Sequence, residues 1–90
     1  MYFGRDDIII YPNPASDFTS IKWEIYDELK NSHYRIFDLN GREMGSGAIE
    51  ENEGEQVIDT RSLTNRVYII NIYNGGIMKM NSKLIVDKEK

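Results

Sequence analysis

Apolar and polar side chains alternate along much of this chain with a period of two, the repeat of a strand that buries one face. The clearest case runs from Phe18 to Ile25. Thr19, Ile21, Trp23 and Ile25 fall on one side, and Phe18, Ser20, Lys22 and Glu24 on the other. Arg66 to Tyr73, "RVYIINIY", is the strongest strand, rich in β-branched and aromatic residues, with Tyr68, Ile70 and Ile72 on one face. Ile8 to Tyr11 is a short apolar run ended by Pro12. Tyr34, Ile36 and Leu39 mark a further strand, and Glu43 to Ile49 returns from it, loosened by Gly45 and Gly47. "EENEGE" reads as an acidic connection before a short strand at Val57-Ile58, and Ile77 to Val86 forms the last strand. "YDELKNS" alone has helix-friendly residues, but it is short and lacks an apolar stripe, so it reads as a loop.

Turn chemistry punctuates these stretches. Asn40-Gly41 and Asn74-Gly75-Gly76 are hairpin signals, because Asn and Gly tolerate the positive φ of a tight primed turn. Pro12 and Pro14, the two prolines of the chain, make a stiff exit from the first strand and push Tyr11 and Asn13 toward extended backbone. Seven short strands with turn signals at roughly 8–12-residue intervals predict an all-β, Ig-like or fibronectin-like sandwich of antiparallel strands. Leu63, five residues before Tyr68, fits the tyrosine corner of such sandwiches, in which the hydroxyl bonds back to upstream backbone.

Composition narrows the chemistry. Ninety residues make one domain, and 40% apolar content is that of a globular chain. Fifteen acids against eleven bases give a net charge of −4, which speaks against nucleic acid as a partner. The absence of cysteine removes disulfides, thiolate metal sites and cysteine nucleophiles. No stretch approaches the roughly 20 apolar residues of a membrane helix. The residues after Met1 lack a leader pattern, so an exported parent would carry its leader elsewhere.

No catalytic apparatus is visible. His33 is the only histidine, and no serine sits in an elbow such as G-x-S-x-G, so a surface or strand-edge role is expected for it. Asp38, Asn40 and Gly41 in "DLNG" lack the remaining ligands of a calcium loop and read as turn chemistry. Gly45-Ser46-Gly47 lacks the Gly-Lys-Ser/Thr that completes a phosphate loop. No cofactor is implied. The aromatic residues fall mostly within strands, where core filling is the default, although a sugar-binding face would also use them.

Four pieces in order, "YPNPASD", "YRIFDLNGREM", "IDTRSLTNRVYIINI" and "KLIV", resemble one family. It is the C-terminal sorting domain of proteins exported by the type IX (Por) secretion system, in its type A form, and the likeness runs from about Ile8 to Val86. The resemblance implies a non-enzymatic Ig-like domain at the C-terminus of a secreted cargo that passes through the periplasm to the cell surface or beyond. Outer-membrane translocon components would recognise it, and a sortase-like peptidase would then remove it. Pro12, Asn13 and Pro14 match the opening motif, Asp38, Gly41 and Arg42 the central hairpin, and Leu63 and Tyr68 the start of the late strand. Lys83, Leu84, Ile85 and Val86 match the terminal signal and are the residues expected to meet the translocon.

Two departures stand out. Arg66 occupies the position before "VY" where the family usually has glycine, and the chain continues past "IV" with Asp87 to Lys90. The expected division is a linker over 1–7, the sorting domain over 8–86 and a charged tail over 87–90. An exposed final edge would also invite strand pairing between two copies. The rival reading is an Ig-like carbohydrate-binding or adhesion module of a secreted protein.

Overall fold

The computed structural model describes residues 6–88. The parts of the expected linker at residues 1–5 and of the expected tail at 89–90 lie outside the described residues. Seven strands form: β1 (Asp7–Tyr11), β2 (Phe18–Glu24), β3 (His33–Asp38), β4 (Glu43–Ala48), β5 (Glu53–Asp59), β6 (Arg66–Asn74) and β7 (Ile77–Val86). They lie in two antiparallel sheets, β1-β2-β5 and β4-β3-β6-β7, and no helix forms among the described residues. The fourth strand joins β3 instead of the three-stranded sheet, which departs from the immunoglobulin constant arrangement and leaves three strands facing four.

The alternation of β2 and β6 determines the core. Thr19, Ile21, Trp23 and Ile25 are buried as their period predicts, and so are Tyr68, Ile70 and Ile72. Tyr34 and Ile36 from β3, with Leu84 and Val86 from β7, complete the four-stranded side of the same cluster. Buried polar atoms are paired. The Thr19 hydroxyl donates to the Pro12 carbonyl at 2.8 Å, and the Thr60 hydroxyl donates to the Ser16 carbonyl at 2.8 Å.

Three local expectations change. Leu39 lies outside β3, 70% exposed, because the chain is already turning there. The β3–β4 connection is a three-residue loop, Leu39 to Gly41, closed by a hydrogen bond from the Asp38 N–H to the Arg42 carbonyl at 2.9 Å. Only Gly41 has positive φ there (87°), so this is the type I turn with a glycine bulge, whereas Gly75 and Gly76 (64° and 80°) form the primed two-residue turn. Finally, β5 begins at Glu53, so half of "EENEGE" is strand. Its Lys22↔Glu55 and Trp23↔Gly54 partners on β2 impose the extended shape that the polar sequence does not advertise.

Arg66 is not among the residues with positive φ, so the missing family glycine leaves no backbone strain. It begins β6 opposite Val86.

Candidate functional site

Strand register brings together what the sequence scatters. Asp38 on β3 lies opposite Tyr68 on β6, and Tyr68 lies opposite Leu84 on β7, so one row across the sheet joins three of the four motif pieces. The fourth, Pro12 to Pro14, lies along the outer side of the same end of β7. Matched residues of all four pieces therefore gather at one pole of the sandwich, while Tyr34 and Ile72, at the far ends of two pieces, reach toward the other. The opposite pole holds Asp6, the loop over 25–32 and the β6–β7 turn, whose Gly75 N–H donates to the Lys30 carbonyl at 2.7 Å.

Each piece has a local cause. Asp38 is buried, and its Oδ1 accepts from the Asn40 and Arg42 N–H groups, both at 2.9 Å, which shapes the loop that Gly41 completes. Leu63 is buried, and the Tyr68 hydroxyl donates to the Thr64 carbonyl at 2.9 Å, the bond expected of a tyrosine corner. In β7 the period of two splits the four residues that match the family's terminal motif. Leu84 and Val86 point into the core, at 0% and 2% exposure, while Lys83 and Ile85 face outward.

The opening motif holds that strand directly. The Asn13 side-chain amide donates to the Lys83 carbonyl at 2.8 Å, and the Ile85 N–H donates to Asn13 Oδ1 at 2.8 Å. Ala15, fully buried, donates its N–H to the Ile85 carbonyl at 2.7 Å and accepts from the Asp87 N–H at 2.8 Å, in a parallel bridge to Val86. The peptide bonds before Pro12 and Pro14 are both cis. Lys88 is tied in as well, its Nζ donating to the Arg61 carbonyl at 2.6 Å and its N–H to Asn65 Oδ1 at 3.1 Å. Sequence reasoning gave Ala15 no role of its own and read Asn13 only as an opening-motif residue held extended by Pro14. A partner some 70 positions away leaves no trace in local patterning.

Charges elsewhere are local. Lys79 binds Asp27 and Asp6 near the opposite pole, and its pKa is raised chiefly by the hydrogen bond to Asp27. The Arg61 hydrogen bond lowers Asp59 to about 2. Burial raises the Tyr34 hydroxyl. His33 stacks on Tyr73 with ring centroids 5.0 Å apart, and its Nδ1 lies 3.0 Å from the Asn31 carbonyl. Among the described residues no group of three or more His, Cys, Asp or Glu side chains could hold a metal ion.

A family model described as the secretion system C-terminal sorting domain matches residues 9–87. The chain belongs to that family. Among curated proteins none matches the chain. Sorting domains of this family serve the type IX system, and they are signals, not enzymes. The domain is thus a secretion sorting signal, and its role implies a cargo destined for the cell surface or the extracellular space. Its matched motif residues, spread over the sequence from Pro12 to Val86, gather at one end of the folded molecule.

Proposed function

We propose that the motif-bearing pole is the surface by which the outer-membrane translocon recognises this sorting domain, of type A, after its cargo reaches the periplasm. The convergence of Asp38, Tyr68, Leu84 and Asn13 around the end of β7 carries this reading. Lys83 and Ile85 offer the side chains a partner meets, and Leu84 and Val86 fix the strand from inside. Pro12, Pro14, Asp38, Gly41, Arg42, Leu63 and Tyr68 shape the pole. The cargo precedes β1, at the opposite pole, and a sortase-like peptidase separates it near or before residues 1–7. Translocon and peptidase then work at opposite ends of the domain. Strand pairing between two copies is confined to the part of the β7 edge before Lys83, because the Asn13 and Ala15 bonds cover the rest.

The test fuses residues 8–90 behind a periplasmic reporter in a host with the type IX system. The intact fusion is expected outside the cell. Deleting 83–90 strands the reporter, but it also removes the buried Leu84 and Val86. Lys83→Glu with Ile85→Ser is the sharper change, since it leaves both core residues in place. Export undiminished by that double substitution sinks the claim that β7 presents the signal.

A second reading has one observation in its favour. Tyr11 (74% exposed) and Phe18 (50%) are diagonal neighbours on the outer face of the three-stranded sheet, a ring platform of the kind sugars stack on. A glycan array with the isolated domain decides it. Binding abolished by Tyr11→Ala supports a carbohydrate or adhesion module, and a blank array removes that reading.

A further inference from the structure

A sheet edge with free backbone groups invites a further strand. Backbone pairing to β6 uses alternate residues of β7, so Lys83, Ile85 and Asp87 turn their N–H and carbonyl groups away from it. Asn13 and Ala15 receive these groups. The Asn13 side chain takes the Lys83 carbonyl and the Ile85 N–H, and the Ala15 backbone takes the Ile85 carbonyl and the Asp87 N–H. One side-chain amide and one residue of backbone thus replace a neighbouring strand. Ala15 is anchored in the core, and the Thr19 hydroxyl holds the Pro12 carbonyl at 2.8 Å. Asn13 stands between two prolines, neither with an N–H, so the guarding segment has little to offer a next strand.

We infer that Pro12 to Ala15 is a built-in edge guard for the export signal, with Asn13 its positioning residue. It holds the backbone of Lys83 to Asp87 to the sheet, turns Lys83 and Ile85 outward, and withholds the backbone there from strand addition. The translocon accordingly reads this half of β7 by its side chains. The inference rests on β7 being the signal, and its test separates the two.

Amide exchange of the purified domain, read residue by residue, supplies the first arm. Asn13→Ala should speed exchange at Ile85 by about ten-fold. The Leu84 amide, turned toward β6, should stay within about two-fold of its original rate. Asn13→Asp keeps an acceptor for the Ile85 N–H and loses the donor to Lys83, so Ile85 should stay protected. Unchanged exchange at Ile85 in Asn13→Ala overturns the guard. So does an equal rise at Tyr68, Ile70 and Leu84, the mark of a merely structural loss. If Asn13→Ala does not fold, Asn13→Asp decides, and loss of Ile85 protection there overturns the inference.

The second arm is the reporter. Export should fall with Asn13→Ala and return with Asn13→Asp. Full export of Asn13→Ala, with Ile85 exchanging fast, overturns the positioning role and leaves the sorting function intact. A wild-type fusion that stays inside overturns the export reading itself, and the exchange arm alone then decides the guard.

Discussion

The β6–β7 hairpin and the β4–β5 flank are built on opposite principles. On β6, Tyr68, Ile70, Ile72 and Asn74 are buried, and on β7 Leu84 and Val86 are, with Asn13 and Ala15 sealing the outer edge. On β4 and β5 no residue is fully buried, two glycines interrupt β4, and the outer edges of both strands end their sheets. The chain concentrates its packing around β6 and the end of β7 and leaves the middle of its sequence loosely held. Local opening follows buried apolar contact, so the flank should open first and the β6–β7 hairpin last.

The largest effect that tests this contrast is Ile70→Ala. Ile70 is fully buried at the centre of its sheet, and its truncation should cost about 2–5 kcal/mol, measured by urea unfolding. Val57→Ala on exposed β5 should change stability by less than about 0.5 kcal/mol. Equal costs at the two sites would erase the distinction.

A pair within β4 sharpens it. A Cβ on Gly47 would lie 2.5 Å from the Tyr34 hydroxyl and 2.6 Å from its ring, so Gly47→Ala must displace a buried ring and should cost about 1–3 kcal/mol. Gly45→Ala meets only the Ile36 side chain at 3.7 Å and should be neutral or gain about 0.5 kcal/mol, since a strand glycine lacks side-chain packing. Thermal melts of the two variants should move in different directions. The flank is loose outward, toward solvent, and close-fitting where Gly47 meets Tyr34 of β3 and Gly54 meets Trp23 of β2.

Tyr68→Phe comes next. It keeps the ring and removes the hydroxyl bonded to Thr64, and should cost about 1 kcal/mol without moving Leu84. The smallest effect belongs to Asp59, at the end of β5. Its folded pKa of about 2 lies below the ordinary 3.8, so the folded state binds fewer protons between those values. Its contribution is therefore present above about pH 4 and lost as pH falls toward 2. Asp59→Asn should flatten that part of the acid limb in a melting series, modestly, because the pair is exposed.

What sequence could show follows the same divide. β2 and β6 were legible because one face is buried, which forces the period of two onto the residues. The tyrosine corner was legible for the same reason, a fixed spacing serving a fixed bond. Glu53 to Glu55 was not, because its one inward position is Gly54, which leaves room for the Trp23 ring and carries no apolar side chain to mark the face. Asn74 looked like a turn residue. Buried before the turn, its side chain in fact accepts from the Lys30 N–H at 2.7 Å and the Ser32 hydroxyl at 2.6 Å, and donates to the Glu28 carbonyl at 3.0 Å. The site divided likewise. The motif residues could be named from sequence, but their meeting at one pole is a property of register, which a linear pattern does not contain.

The segment from Pro12 to Ala15 has a mechanical consequence. The described chain starts beside Lys79 at one pole and leaves beyond Val86 at the other. A pull on its two ends draws the opening segment one way and the closing strand the other. The two run parallel, so the bonds of Asn13 and Ala15 are loaded in shear and must give way together, whereas a hairpin pulled open at its mouth loses its bonds one by one. The joint that covers the end of β7 is also the one that resists stretching the domain.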